Sequence, residues 1–250
     1  MEPYQSEAAG VFSALEEIKK LALSRPAARG GLDRLRGQRI TVIPELDPSH
    51  PAGADRGNRY VDAGAGAIAV CAGPSAAEPD VVARISARIQ APVLFLEPAD
   101  TSYRIWQARA CGADMVVLPA AALSDTALYS LLERAESLGM DAVVEVRGGA
   151  DLVRALRARA RAVLLRPTAD AAPAGANAHD LLSMVPAGVV KLAECGPTGR
   201  SGLIACARSG ADAVLVGASL LAGADPAAIV ADLAAMGAHP ALAARGSRAA

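Results

Sequence analysis

From residue 39 onward, short apolar runs rich in β-branched residues alternate with longer Ala-, Leu- and Arg-rich segments of helical period. The runs predict buried strands, because a strand covered on both faces is apolar throughout. These strands are residues 39–45, 67–71, 92–96, 114–118, 141–146, 161–165, 188–194 and 213–217. The intervening segments predict helices near 54–64, 79–90, 102–111, 125–139, 149–159, 176–184, 199–209 and 225–236. This alternation predicts an α/β protein with a parallel sheet.

One short pattern recurs where a predicted helix gives way to the next strand. It occurs at residues 63–68, 111–116 and 209–214, each time with a glycine followed at once by apolar residues. A glycine there can take the left-handed conformation that ends a helix. The repeat predicts the same helix-to-strand joint in several βα units.

Eight βα units favour a single (β/α)8 TIM barrel over an open doubly wound sheet. The open sheet usually carries a Gly-rich phosphate loop after its first strand, whereas residues 44–51 here read Pro-Glu-Leu-Asp-Pro-Ser-His-Pro. A helix-like segment at 6–24 precedes the barrel and can cap one of its ends. The prediction is therefore a helical extension at 1–38, a barrel at 39–237 and a flexible tail at 238–250.

Composition and charge indicate which classes of binding partner can be excluded. The 25 basic and 26 acidic residues leave a net charge of −1, which argues against nucleic acid as a ligand. No apolar run approaches the roughly 18–20 residues of a membrane span, and the N-terminus lacks a signal pattern. We therefore expect a cytoplasmic protein that does not associate with a membrane. The four cysteines lack metal-ligand spacing. We expect no metal and no cofactor.

Carboxylates stand at the ends of three predicted strands. Strand one ends with Glu45 and Asp47, strand five with Glu145 and strand seven with Glu194. Functional groups of such barrels lie at the carboxyl ends of the strands, and burying an acid there needs a partner. These four residues are candidate catalytic or binding groups. The alternatives are solvated residues at the starts of loops, or a divalent-metal site, for which the Asp-x-Asp or His partners are missing.

Glycines follow strands seven and eight, where many barrels bind phosphate. Gly196 and Gly217 would let backbone N–H groups approach an anion, and a short helix starting near Ala218 would point its positive end at it. The other interpretation is that both glycines only form turns. His50, after strand one, is a candidate phosphate or acid–base group, or a surface histidine.

Four segments of the sequence, taken in their order along the chain, match segments of a known protein family. They are Ala-Arg-Ala-Cys-Gly-Ala-Asp at 108–114, Asp-Ala-Val-Val-Glu-Val at 141–146, Val-Lys-Leu-Ala-Glu-Cys-Gly at 190–196 and Gly-Ala-Asp-Ala-Val-Leu-Val-Gly at 210–217. With the N-terminal helix, the chain resembles indole-3-glycerol phosphate synthase over nearly its whole length. The resemblance implies a lyase of tryptophan biosynthesis, which closes the indole ring of a carboxyphenylamino deoxyribulose phosphate with loss of carbon dioxide and water.

The resemblance also implies residue roles. Glu145 matches the glutamate base, Glu45 the strand-one glutamate, and Glu194 with Gly196 the strand-seven substrate and phosphate site. Gly217 and Ala218 match the second phosphate loop, with alanine in place of the usual polar residue.

Three further positions at the site depart from the family. Asp47 replaces the strand-one lysine that holds the substrate carboxylate, Leu96 replaces the general-acid lysine, and Arg166 replaces the strand-six asparagine. The sequence therefore predicts an enzyme retasked to a related phosphorylated or aromatic amine substrate, with Glu145 as base, Glu45 or Asp47 as second acid–base group and Arg166 as substrate-binding cation. The alternatives are a non-catalytic paralogue that binds a phosphorylated ligand or a partner protein, and a genuine synthase with rearranged groups.

Overall fold

The strands form one closed parallel barrel in the order β1 to β8, with β1 paired to β8. A computed structural model describes residues 3–37, 39–47, 50, 52–71, 79–166, 178–196 and 198–243. The predicted (β/α)8 barrel is confirmed, with strand ends that differ from the predicted ones by at most two residues. The strands are β1 Thr41–Leu46, β2 Ile68–Val70, β3 Val93–Phe95, β4 Met115–Pro119, β5 Asp141–Val146, β6 Ala162–Leu165, β7 Val190–Cys195 and β8 Ala213–Val216.

Helices surround the barrel and extend beyond it at both ends of the chain. They are α1 Pro3–Ser24, α2 Gly31–Leu35, α3 Gly53–Asp62, α4 Pro79–Arg88, α5 Ser102–Ala110, α6 Asp125–Ser137, α7 Gly149–Arg157, α8 Ala178–Met184, α9 Arg200–Arg208, α10 Pro226–Gly237 and α11 Pro240–Ala243. A 3-10 turn covers Ala120–Ala122. The segment predicted as a flexible tail thus contains the short α11, and residues 244–250 lie outside the described part. No described helix is long and apolar enough to span a membrane.

The apolar residues form two layers on the two faces of the sheet. Ile43, Val143 and Leu192 belong to the layer that fills the barrel interior. Their sequence neighbours Val42 and Val144 belong to the layer between the sheet and the surrounding helices. Because successive side chains of a strand point to opposite faces, the strands are apolar on both sides.

Helix α2 closes the amino-terminal end of the barrel. Leu32 and Leu35 are buried within the interior layer, and a Cβ atom on Gly31 would lie within 3 Å of the Met115 side chain. The backbone N–H of Leu32 donates to the carboxylate of Asp141 at 3.0 Å, which ties α2 to the start of β5. The carboxyl ends of the strands are therefore the end of the barrel left for a site.

The predicted helix-to-strand joint is present. Gly64, Gly112 and Gly210 have φ angles of 101°, 80° and 86°, in the left-handed region that glycine adopts without a steric penalty. Arg159 occupies the corresponding position after α7 with φ 59°. At that joint an arginine therefore adopts the conformation for which the other units use glycine.

Candidate active site

The alternation of side chains places the three glutamates in the barrel mouth. Glu45, Glu145 and Glu194 each follow an interior residue of their strand by two positions, so all three have the inward orientation. On each of the other five strands, the residue two positions after an interior residue also points into the mouth, at the height of the three glutamates. They are Cys71, Leu96, Pro119, Arg166 and Gly217.

Arg166, at the end of β6, joins Glu145 of the neighbouring β5 to Glu194 of the neighbouring β7. Its Nη1 atom lies 3.5 Å from Glu145 Oε2, and its Nε atom lies 3.2 Å from Glu194 Oε2. The Glu145 side chain is 4% exposed and that of Glu194 is 42% exposed. One guanidinium therefore neutralises a deeply buried carboxylate and a more open one, a geometry that suits the planar, multidentate arginine head.

Arg147 is a site residue that the sequence analysis did not single out. Its Nε atom donates to Glu145 Oε1 at 2.9 Å, so a different arginine contacts each oxygen of this carboxylate. Arg147 follows Glu145 by two positions, and this spacing was the signal in the sequence that it shares the inward side. Its side chain is 45% exposed, so it reaches the carboxylate from the solvent side.

Glu45 has a different partner. Its Oε2 atom accepts a hydrogen bond from the backbone N–H of Ala218 at 3.0 Å. A Cβ atom on Gly217 would lie 3.7 Å from Glu45 Oε2 and 3.9 Å from Glu194 Oε1. The loop after β8 thus turns its backbone toward two of the carboxylates. Residues Ala218–Leu221 of this loop form a turn. The prediction of a short helix that begins near Ala218 is therefore wrong.

The loop after β1 carries two further candidates. Asp47 is exposed just beyond the end of β1. His50 is also exposed, and its Nδ1 atom accepts a hydrogen bond from the N–H of Ala52 at 3.2 Å, at the start of α3. These two candidates therefore stand on the rim, while Glu45, Glu145, Arg166 and Glu194 stand in the mouth.

Gly196 borders a cavity of about 280 Å³ beside the mouth. Glu194, Thr198 and Ser201 contribute polar groups to its lining, and the remainder is mostly apolar. Cys195 is buried nearby, and burial raises the pKa of its thiol. That shift argues against a nucleophilic cysteine at the mouth.

No lysine stands at the strand ends. The chain has three lysines, Lys19, Lys20 and Lys191; the first two lie in α1, and Lys191 is the second residue of β7, toward the closed end of the barrel. Leu96 is 3% exposed and packs in the interior layer. The mouth therefore contains guanidinium groups and carboxylates but no amine that could act as a proton donor.

Among the described residues no group of three or more His, Cys, Asp or Glu side chains could hold a metal ion.

The sequence of the chain is similar to that of a known protein family over most of its length. A family model described as indole-3-glycerol phosphate synthase matches residues 45–233. A protein of that name from Streptomyces griseus is 40% identical, over 92% of this chain and 90% of its own length. One from Mycobacterium leprae is 37% identical, over 91% of this chain and 88% of its own length.

Solved structures share the fold at lower identity. A 3-hexulose-6-phosphate synthase from Salmonella typhimurium superimposes with a TM-score of 0.66 at 18% identity, covering 79% of this chain and 98% of that one. A thiamine phosphate pyrophosphorylase from Pyrococcus furiosus gives a TM-score of 0.61 at 14% identity, covering 79% of this chain and 95% of that one. Likeness at this level establishes the barrel and nothing finer.

Proposed function

Because the chain belongs to the indole-3-glycerol phosphate synthase family, we propose that it is a retasked barrel enzyme acting on a related phosphorylated or aromatic amine substrate by carboxylate acid–base chemistry. The observation that carries the proposal is the Glu145–Arg166–Glu194 chain of ion pairs along one side of a mouth that has no lysine. The expected reaction is of the lyase or cyclisation type.

In this proposal Glu145 is the general base. Its carboxylate is buried, and Arg147 and Arg166 hold it from two sides, so its orientation is fixed before a substrate arrives. The half-exposed Arg147 can withdraw and leave Oε1 free to take a proton. Arg166 then supplies a positive charge to an anionic group of the substrate.

The second acid–base group is Glu45 or Asp47. Two carboxylates in different surroundings can divide the acid and base roles without a lysine. Glu45 is bonded to a backbone amide, Glu145 to two arginines and Asp47 is on the exposed rim, so the surroundings of the three differ. The phosphate end of the substrate is expected at the loops of Gly196 and Gly217–Ala218, with Glu194 and His50 as further substrate contacts.

Ring closure on the family's own substrate is disfavoured at two positions. Leu96 cannot donate a proton, and a missing general acid costs about 10²–10⁴ in rate. Asp47 would place a negative charge beside the substrate carboxylate. Both departures support a change of substrate within the same fold.

A non-catalytic protein that binds a phosphorylated ligand or a partner protein is the second candidate. Arginines at both oxygens of Glu145 favour it, since a carboxylate paired on both sides is well suited to a structural or binding role. A stable barrel can persist after its chemistry is lost. A genuine indole-3-glycerol phosphate synthase with rearranged catalytic groups is the third hypothesis.

Turnover assays decide among the three. The purified protein is incubated with carboxyphenylamino deoxyribulose phosphate and with a panel of sugar phosphates and aromatic amines, followed by mass spectrometry and by thermal shift. The proposal expects turnover of a panel compound, reduced about 100-fold or more in Glu145→Gln. Glu133→Gln, at the opposite end of the barrel, is the matched control and should keep the activity.

Each alternative has its own signature. Activity that survives in Glu145→Ala would remove Glu145 as the base. Thermal stabilisation by a phosphorylated compound without any turnover would replace the proposal with the binding protein. Efficient formation of indole-3-glycerol phosphate by the unaltered chain would establish the rearranged synthase.

A further inference from the structure

Glu45 and the loop after β8 meet across 173 positions of sequence. The N–H of Ala218 donates to Glu45 Oε2 at 3.0 Å, so this carboxylate oxygen occupies a backbone amide of the loop that an anion could otherwise use. Gly217 has no side chain to separate the loop from the carboxylates, because a Cβ there would contact both Glu45 and Glu194. The contact is therefore between a carboxylate and exposed backbone.

Glu45 is held less firmly than the other two glutamates. Glu145 is paired with Arg147 and Arg166, and Glu194 with Arg166. Within the described ranges no lysine, arginine or histidine nitrogen lies within 4 Å of a Glu45 oxygen. Glu45 is therefore the mouth carboxylate that an incoming group can displace without breaking an ion pair.

A phosphate oxygen and a carboxylate oxygen use the same kind of donor, a backbone N–H in a glycine-containing loop. We infer that Glu45 competes with the phosphate group of the ligand for the Ala218 amide, and so sets the anion affinity of the Gly217–Ala218 loop. The inference rests on the proposed function, which puts the phosphate end of the substrate at this loop.

The competition has a consequence for the chemistry. When phosphate takes the Ala218 amide, Glu45 loses its hydrogen bond and is repelled by the anion, so it turns toward the centre of the mouth. A carboxylate then becomes free for acid–base work only after the phosphate end is in place. Glu45 is a specificity-determining residue in this scheme, because an anion too weak to displace it leaves it on the loop.

Phosphate titrations of variants test the inference. Inorganic phosphate is titrated at fixed pH and ionic strength into the full chain, Glu45→Ala, Glu45→Gln and Glu133→Gln, with calorimetry as the measure of affinity. Removing a charged competitor should tighten phosphate binding about 10-fold or more in Glu45→Ala. Glu45→Gln, which keeps an acceptor but loses the charge, should fall between Glu45→Ala and the unaltered chain. Glu133→Gln should bind as the unaltered chain does.

The outcomes separate this inference from the proposed function. Equal or weaker phosphate binding by both Glu45 variants, with clear binding by the unaltered chain, would overturn the competition and leave the proposed function standing. If none of the four proteins binds inorganic phosphate, and none binds a phosphorylated compound of the panel, both the phosphate site and the proposed function are overturned. Far-ultraviolet circular dichroism of each variant establishes that it is folded before titration.

Discussion

Arg29 binds the buried carboxylate of Asp114 through two nitrogens, with Nε 2.9 Å and Nη2 2.7 Å from Oδ2. The backbone N–H of Arg29 also donates to Oδ1 at 2.7 Å. Arg29 lies in the segment between α1 and α2, and Asp114 immediately precedes β4. This contact attaches the N-terminal extension to the closed end of the barrel.

Arg29→Ala should destabilise the protein by about 2–4 kcal/mol, because it leaves the Asp114 carboxylate buried without its cation. Urea denaturation monitored by circular dichroism measures the change. Arg34→Ala, at an exposed position of α2, should change stability by less than about 0.5 kcal/mol. Similar stability of the two variants would show that the ion pair contributes little.

Leu96→Lys combined with Asp47→Lys should create or raise indole ring closure by at least about 100-fold, because it introduces the proton donor in the mouth and the carboxylate-binding cation on the rim that the family resemblance implies. Formation of indole-3-glycerol phosphate, followed by its fluorescence, is the measurement. Leu96→Met in place of Leu96→Lys keeps the volume without the amine and should give no gain. A folded lysine variant that is still inactive would locate the block elsewhere in the mouth.

Arg159→Gly should stabilise the fold by about 0.5–1 kcal/mol, because glycine adopts the left-handed conformation without the strain that arginine meets there. Arg157→Gly, two residues earlier at the end of α7, should lower stability by a similar amount, because its position is helical. Both are read from urea unfolding. A loss of stability in Arg159→Gly would mean that the arginine side chain makes a contact stronger than the strain.

Thiol labelling at pH 8 should modify Cys71 rapidly in the folded protein, because it is the partly exposed cysteine among four free thiols. Cys111, Cys195 and Cys206 are buried and should react only on unfolding. Cys71→Ser should abolish the fast phase of an Ellman assay. Because Cys71 has the inward parity at the mouth, a bound ligand should slow its labelling; fast modification of a second cysteine would contradict this burial pattern.

The free energy of unfolding should decrease at alkaline pH, because the buried Cys206 thiol then loses its stabilising contribution. Burial, with the nearby Cys195, raises its pKa from 9.0 to about 11. The folded state then keeps a proton that the unfolded state loses, so the stabilising effect is complete below pH 9 and disappears as the pH rises to about 11. The free energy of unfolding should fall by about 1–2 kcal/mol from this group between pH 8 and 10.5.

Cys206→Ala isolates that contribution. Its stability at pH 8 will be lower because a buried side chain is shortened, but its further loss between pH 8 and 10.5 should be smaller than in the unaltered chain. Urea unfolding at both pH values gives the comparison. An equal loss in the two proteins would assign the alkaline effect to other groups, such as the buried Tyr60, whose pKa burial also raises.

The sequence by itself determined the eight strands, the joints at Gly64, Gly112 and Gly210, and the side of the barrel on which Glu45, Glu145 and Glu194 lie. The reason is that strand alternation and glycine conformation are local properties, written in neighbouring residues. Helix α2 was not predicted, because five residues are too few to show a helical period.

Only the tertiary structure decided which groups bond to one another in the mouth. The contact of Glu45 with Ala218 spans 173 positions, and that of Arg166 with Glu145 spans 21. Such pairs depend on closure of the barrel and on the stagger between its strands, which no local pattern specifies. For the same reason the departure at Leu96 could be seen in the sequence, whereas the contacts of Arg147 and Arg166 with the Glu145 carboxylate became evident only from the packed fold.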